Sequence, residues 1–307
     1  MRPRSMTYPL AMAAALMLTT GCGGSTEGAA GTAGGSPGAI TVVASTDVYG
    51  DIARRIGGDR VAVTSIIDDP QQDPHSYEAD TRTRLALSKA KVIIENGGGY
   101  DDFVDTMLKA TANPSVKVLN VVAISGRTAP AGGELNEHLW YDLPTTAKLA
   151  DRIATALSAV DPAQADDFTS NAKAFEVKID SLRKRVEDLA ATATGTTVAV
   201  TEPVPLYLLR ACGLTDVTPP EFSEAVEEGD DVSPAVLRRT LDLFHGKKVK
   251  LLVYNEQTTG PQTEKIKKAA AQAGVPVLPV RETLPKGKDY LDWMSDNIDA
   301  VQTALGR

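Results

Sequence analysis

Residues 161–191 read DPAQADDFTSNAKAFEVKIDSLRKRVEDLAA. Phe168, Ala172, Phe175, Ile179, Leu182, Val186 and Leu189 recur at alternating steps of four and three, the apolar stripe of one long helix. Asp161-Pro162 supplies its start, and the pattern runs to about Ala191. At 1.5 Å per residue such a helix reaches about 45 Å, the full length of a two-lobed protein. Everything else in the chain is arranged on either side of it.

On the N-terminal side, short apolar runs alternate with helical patterns. Ile40–Ala44 reads as a strand, and Ser45-Thr46-Asp47 caps a helix in which Val48, Ile52 and Ile56 share one face before Gly57-Gly58. Strands over Val61–Ile67, Lys91–Glu95 and Val116–Val121 alternate with helices over 81–90 and 101–109. Leu143–Leu157 is a further helix, with Pro144 at its start. Alternation resumes after the long helix. Strands are expected at Thr197–Val200, Val249–Tyr254 and Val275–Val280, with helices at 205–212, 235–244, 261–273 and 290–305. The expected fold class is therefore α/β: two lobes with mostly parallel sheets covered by helices, joined by one rigid backbone helix.

Residues 1–21 read as an export signal. Arg2 and Arg4 precede the apolar run Leu10–Leu18, which is shorter than the ~20 residues of a spanning helix. Leu18-Thr19-Thr20-Gly21-Cys22 has the small residues and Cys of a lipobox, with lipid on Cys22. A plain secretory peptide is the alternative. Residues 22–39 are nearly all small or polar and form a tether. The expected organisation is then an N-terminal lobe over 40–142, a helical linker over 143–194 and a C-terminal lobe over 195–307. No later run of 18 apolar residues follows.

The chain has 307 residues, with 32 basic against 40 acidic side chains and 42% hydrophobic content. That is enough for a large core, and the net charge of −8 argues against nucleic acid as partner. Two cysteines exclude a disulfide scaffold, and Cys212 in LLRACGL reads as a buried thiol. Any metal-ligating or catalytic histidine must be His75, His138 or His245. His75 lies in the turn DPHSYE between a strand and a helix, and His138 in the loop EHLWYD. Loops of this kind, at the carboxyl ends of parallel strands, are where ligands bind. His245, in FHGKK, sits at a helix C-terminus, where partial positive charge is favoured.

The motifs DPHSYE and EHLWYD, followed by the long helix, resemble the metal-binding lipoproteins of zinc and manganese ABC importers, the cluster A-I (cluster 9) solute-binding proteins. The lipobox, the tether, the segment EEGDDVSP at 227–234 and the closing DYLDWM helix fit the same resemblance, which covers Ile40 to Leu305. It implies four loops, two per lobe, that bring ligands to one cation. His75 and His138 match the two N-lobe histidines. Glu202, after the strand ending at Val200, matches the third ligand. The fourth falls in the loop after the next strand, where the family carries Asp. Glu256 is the charged residue there, with Asn255, Thr258, Thr259 or water as alternatives.

The resemblance further implies Zn2+, or alternatively Mn2+, as the transported ligand. Two imidazoles and carboxylates suit a borderline divalent ion, and the Irving–Williams order places zinc above manganese. The protein is expected outside the cytoplasmic membrane on its lipid anchor, as a monomer that delivers the ion to the permease of an ABC importer, without enzymatic activity. An exported metal-dependent hydrolase and an adhesin on the same fold are the competing readings. HExxH is absent from the sequence. The acidic run Glu224–Asp231 reads as solvated surface. The rigid helix predicts metal release by loop movement rather than by a wide hinge swing.

Overall fold

The protein, seen here as a computed structural model, is described over residues 38–72, 74–111, 113–130 and 133–306. The export signal, Cys22 and nearly all of the tether lie outside the described residues. Strands β1 (Ile40–Thr46), β2 (Val61–Ile67), β3 (Val92–Glu95) and β4 (Lys117–Asn120) form one sheet in the order β2-β1-β3-β4. Strands β5 (Thr197–Val200), β6 (Thr215–Asp216), β7 (Leu252–Asn255) and β8 (Val277–Val280) form a second, in the order β6-β5-β7-β8. Every neighbouring pair is parallel.

Helices alternate with the strands. The first sheet carries α1 (Asp47–Gly57), α2 (Thr81–Lys89), α3 (Asp102–Lys109) and the short α4 (Val121–Ser125). Two antiparallel helices follow, α5 (Leu143–Val160) and α6 (Ala165–Ala193). The second sheet carries α7 (Leu206–Ala211), α8 (Pro220–Glu227), α9 (Pro234–His245), α10 (Pro261–Ala273) and α11 (Tyr290–Ala304). The two-residue β6 and the helices α4 and α8 are the elements that the sequence reading lacks. The long helix begins and ends within a turn of its expected bounds, and all seven residues of its stripe are buried.

That stripe is the centre of the molecule. Val42 and Ala44 of β1 face the same apolar core as Val198 and Val200 of β5, together with Phe168, Phe175 and Ile179 of α6. The opposite faces of the two sheets bury separate, smaller clusters. Val43 and Ile93 pack with Leu87 and Val104 in one, and Ala199 and Leu252 with Phe244 and Ile266 in the other. A parallel sheet covered on both faces needs apolar residues on both, which is why these strands read as continuous rather than alternating runs. Cys212 is fully buried within the central core, and burial pushes its thiol up to about 12. His245 is the last residue of α9 and is exposed.

Helix α1 ends where Gly57 packs on Val61, and a Cβ at Gly57 would overlap that side chain. Its outer face reaches the second sheet. Asp47 accepts the backbone N–H of Leu284, Asp51 accepts that of Tyr290 at 3.0 Å, and Arg55 pairs with Asp289 at 2.5 Å. The three residues are four apart, so they share one helix face. Burial pushes the Asp47 carboxyl from 3.8 up to about 7, against the pull of the Leu284 N–H. A group raised in this way stays protonated in the fold while the unfolded chain ionises. Its contribution is therefore lost as the pH rises from about 4 to about 7. Asp47→Asn keeps the acceptor oxygen and cannot ionise. Its melting temperature should match the wild type near pH 4 and exceed it increasingly towards pH 7, by about 2–4 °C for each kcal/mol recovered. Calorimetry across that range checks it.

Candidate metal centre

The carboxyl ends of both sheets face each other, and the loops that leave them build the site. After β2 the chain makes a short 3-10 turn, Pro74–Ser76, that carries His75. His138 stands immediately before the turn Leu139–Tyr141. Tyr100 and Trp140 pack edge-on or tilted against these rings, with centroids 5.3 Å from His75 and 5.1 Å from His138. His138 and Trp140 have no solvent exposure, so the pocket floor is dry.

One carboxylate meets both imidazoles. Glu282 Oε2 lies 3.5 Å from His75 Nε2 and 3.5 Å from His138 Nε2, and the Glu282 side chain is fully buried. His75, His138 and Glu282 each offer an atom within 4.8 Å of the others, close enough to share one ion. Glu282 is held from several sides. Tyr100 Oη donates to Oε2 at 3.2 Å, Asn255 Nδ2 donates to Oε1 at 2.9 Å, and the Glu282 N–H donates to Gln257 Oε1 at 2.6 Å.

The protonation pattern shows what belongs at the centre. Asn136 Nδ2 donates to the carbonyl of Pro203 at 2.8 Å, which turns Asn136 Oδ1 towards His138. That oxygen accepts the backbone N–H of His138 at 3.0 Å and faces its Nδ1 at 2.9 Å. In the neutral ring the proton therefore sits on Nδ1, which leaves Nε2 for a second proton or a metal ion. Buried Nε2 has no hydrogen bond among the described residues and points at a carboxylate oxygen. A bare lone pair against a carboxylate is repulsive, so either a proton on Nε2 or a metal ion belongs between them. Burial alone would push Glu282 up, yet the two imidazoles hold its carboxyl well below the usual range. Burial likewise pulls His75 down, but Glu282, Glu137 and Glu227 outweigh it and push the ring up to about 10. His138 rises for the same reason, against its own burial.

Glu202 is almost fully buried beside this group. Asn255 Nδ2 donates to its Oε2 at 2.9 Å, so one amide joins Glu202 to Glu282, and Thr258 donates to its Oε1. Burial, and then the charge of Glu282, push the Glu202 carboxyl up to about 9. Glu256 stands elsewhere: its side chain is 41% exposed and pairs with Arg281 at 2.7 Å. The expected fourth position after β7 thus supplies Asn255 and Gln257 as supports, while the charge comes from Glu282, after β8.

Strand parity explains the exchange. Asn255 pairs with Val280 across the sheet, so the next two positions align Glu256 with Arg281 and Gln257 with Glu282. Successive side chains alternate faces. Glu202 and Glu282 both stand two residues beyond their strands, whereas Glu256 stands one beyond. The acidic run also departs from expectation. Glu227 ends α8, and its carboxylate is 15% exposed and 3.7 Å from His138 Nδ1. Glu137, the neighbour of His138, turns back to His75 Nδ1 at 3.6 Å. Glu282, Glu137 and Asn136 are site residues that the sequence reading did not weigh, and Glu227 is one that it read as solvated surface.

The family described as ZnuA, zinc-uptake complex component A periplasmic, matches residues 42–304. The manganese-binding lipoprotein MntA of Halalkalibacterium halodurans is 24% identical over 299 residues, 95% of each chain. The manganese ABC transporter substrate-binding lipoprotein PsaA of Streptococcus mitis is 23% identical over 287 residues, 87% of this chain and 90% of its own. Among solved structures, the periplasmic zinc-binding protein TroA from Treponema pallidum aligns with a TM-score of 0.74 at 20% identity, over 88% of this chain and all of its own. FpvC from Pseudomonas aeruginosa, in complex with Mn2+, aligns at 0.73 and 24% identity, over 87% of this chain and 98% of its own. The two-lobed α/β fold expected from the sequence is shared across these structures.

Proposed function

Because the chain belongs to the family of periplasmic zinc-uptake component A proteins, we propose that it is the extracytoplasmic binding lipoprotein of an ABC importer, which captures one divalent transition-metal ion and passes it to the permease. The observation that carries this reading is the convergence of His75 Nε2, His138 Nε2 and Glu282 Oε2 on one buried point. Glu202 supplies the fourth ligand. Each of its oxygens accepts one hydrogen bond and retains a lone pair, so an ion can draw it in. Two carboxylates then neutralise the double charge in a dry pocket.

Two imidazole nitrogens and two carboxylate oxygens suit Zn2+ in four-coordination. Mn2+ is the alternative cargo, named in both curated relatives. The Irving–Williams order makes Zn2+ the tighter ligand. The role is capture and release rather than turnover. The relatives named as lipoproteins support lipidation at Cys22 and a position on the outer face of the membrane, where a monomer on its tether meets the permease.

Elemental analysis tests the reading. Protein purified without added metal and then loaded should hold about one divalent ion per chain, and His75→Ala/His138→Ala should hold less than about a tenth of that. Equal metal content in the double variant rejects it.

A further inference from the structure

The imidazole of His75 faces two sets of acids. Its Nε2 turns inward to Glu282, in the set completed by His138. Its Nδ1 turns outward to Glu137 Oε1 at 3.6 Å, and His75, Glu137 and Glu227 form a second group whose donor atoms also lie within 4.8 Å of one another. The two groups differ in access. The side chains of Glu282 and His138 are fully buried, whereas those of Glu137 and Glu227 are each 15% exposed and that of His75 20%.

Two features favour a cation at the outer group. Among the described residues, no Lys or Arg pairs with Glu137 or Glu227, whose ion-pair partners are the two histidines. Glu227 also closes α8, so the negative end of that helix adds to the field. An open cavity of about 490 Å³ adjoins this group at Glu227; Asp230, Asp231, Gln257 and Thr258 also line it. Thr258 bonds Glu202 and Gln257 bonds Glu282, so the cavity wall is continuous with the inner ligands.

We propose that His75, Glu137 and Glu227 form a loading position for the divalent cation, from which the ion passes to the inner group by changing nitrogens on the same imidazole. A neutral imidazole has one lone pair, so the two positions exclude each other and only one ion is held at a time. With the ion outside, Nδ1 ligates and the Nε2 proton faces Glu282. With the ion inside, Nε2 ligates and the Nδ1 proton faces Glu137. Either way, a carboxylate receives the ring's N–H; on transfer Nε2 gives up its proton to water as it takes the ion and Nδ1 gains one from water as it releases it, so the ring's proton count is unchanged. The outer group is thus a step in a path rather than a second store.

This inference rests on the binding reading above, and rates separate the two. Trp140 stands 5.1 Å from His138 and serves as the fluorescence reporter. Stopped-flow mixing of the metal-free full chain with Zn2+ gives the association rate, and a chelator chase gives the dissociation rate. For Glu137→Gln/Glu227→Gln, both rates should fall about tenfold or more while Kd moves less than about threefold, since a loading step speeds arrival and departure alike. Glu227→Gln alone should give a smaller fall in both. Retention of one ion at equilibrium certifies that the variants are folded. A fall in association alone means long-range attraction, and a rise in dissociation alone means support of the inner ligands. Either result, or unchanged rates, overturns the loading position. Failure of the wild type to bind an ion would instead sink the binding reading itself.

Discussion

Replacing Glu282 by glutamine should weaken Zn2+ binding by about a hundredfold or more, or at least ~2.7 kcal/mol. The substitution keeps the shape and one carbonyl oxygen but removes the only negative charge placed between the two imidazoles. Charged ligands in a fully buried pocket act in a low dielectric, so the loss exceeds what a surface carboxylate would show. The amide also brings a donor to a point where two ring nitrogens need an ion, which adds competition rather than relief. The matching control is Glu256→Gln. Glu256 is exposed and paired with Arg281, so its affinity should stay within about threefold of the wild type. Competition titration against a chromophoric chelator measures both. A large loss in Glu256→Gln with none in Glu282→Gln would return the ligand to the loop after β7.

Removal of the Phe175 side chain should be the most damaging change outside the site. Phe175 is 1% exposed in the middle of α6 and touches the core shared by both sheets. It also packs against Tyr290 of α11, with ring centroids 6.1 Å apart. Phe→Ala at such a position costs about 3–5 kcal/mol through lost burial and the cavity left behind. For a chain of this size that corresponds to a fall of about 10 °C in melting temperature. The whole unfolding curve should move as one transition, because the packing lost belongs to both halves. A calorimetric trace in which only part of the heat shifts would contradict a common core.

Most of the architecture is legible from periodicity. The stripe from Phe168 to Leu189 has no alternative reading, and strands buried on both faces declare themselves as unbroken runs of Val, Ile and Ala. The misses have physical causes. β6 is two residues long and has no pattern of its own. In α8, Pro220 starts a helix whose charged residues resemble a solvated surface, and only the tertiary fold turns Glu227 inward. At the site, His75 and His138 stand out because histidine is scarce. Glu282 does not, because carboxylates are common and its neighbour Arg281 suggests a surface pair. The signal was the offset of two residues beyond a strand that Glu282 shares with Glu202. Glu256 has that same offset from the expected strand end at Tyr254, and only the observed extension of β7 to Asn255 puts it one residue out of phase.

The clasp along α1 carries a mechanical consequence. Leu284, whose N–H is held by Asp47, follows the ligand Glu282 by two residues, and Asp289 and Tyr290 extend the grip onto the start of α11. Three anchors at successive turns resist prying apart far better than one, since they must yield together. The loop that carries Glu282 is thereby moored to α1, and the two sheets cannot be drawn apart there without tearing that mooring. The turn around His75 is tied differently: Arg281 and Gln257 hold the carbonyls of Pro70 and Gln72 just before it, so any opening of the proposed site at this turn has those two bonds to break on that side.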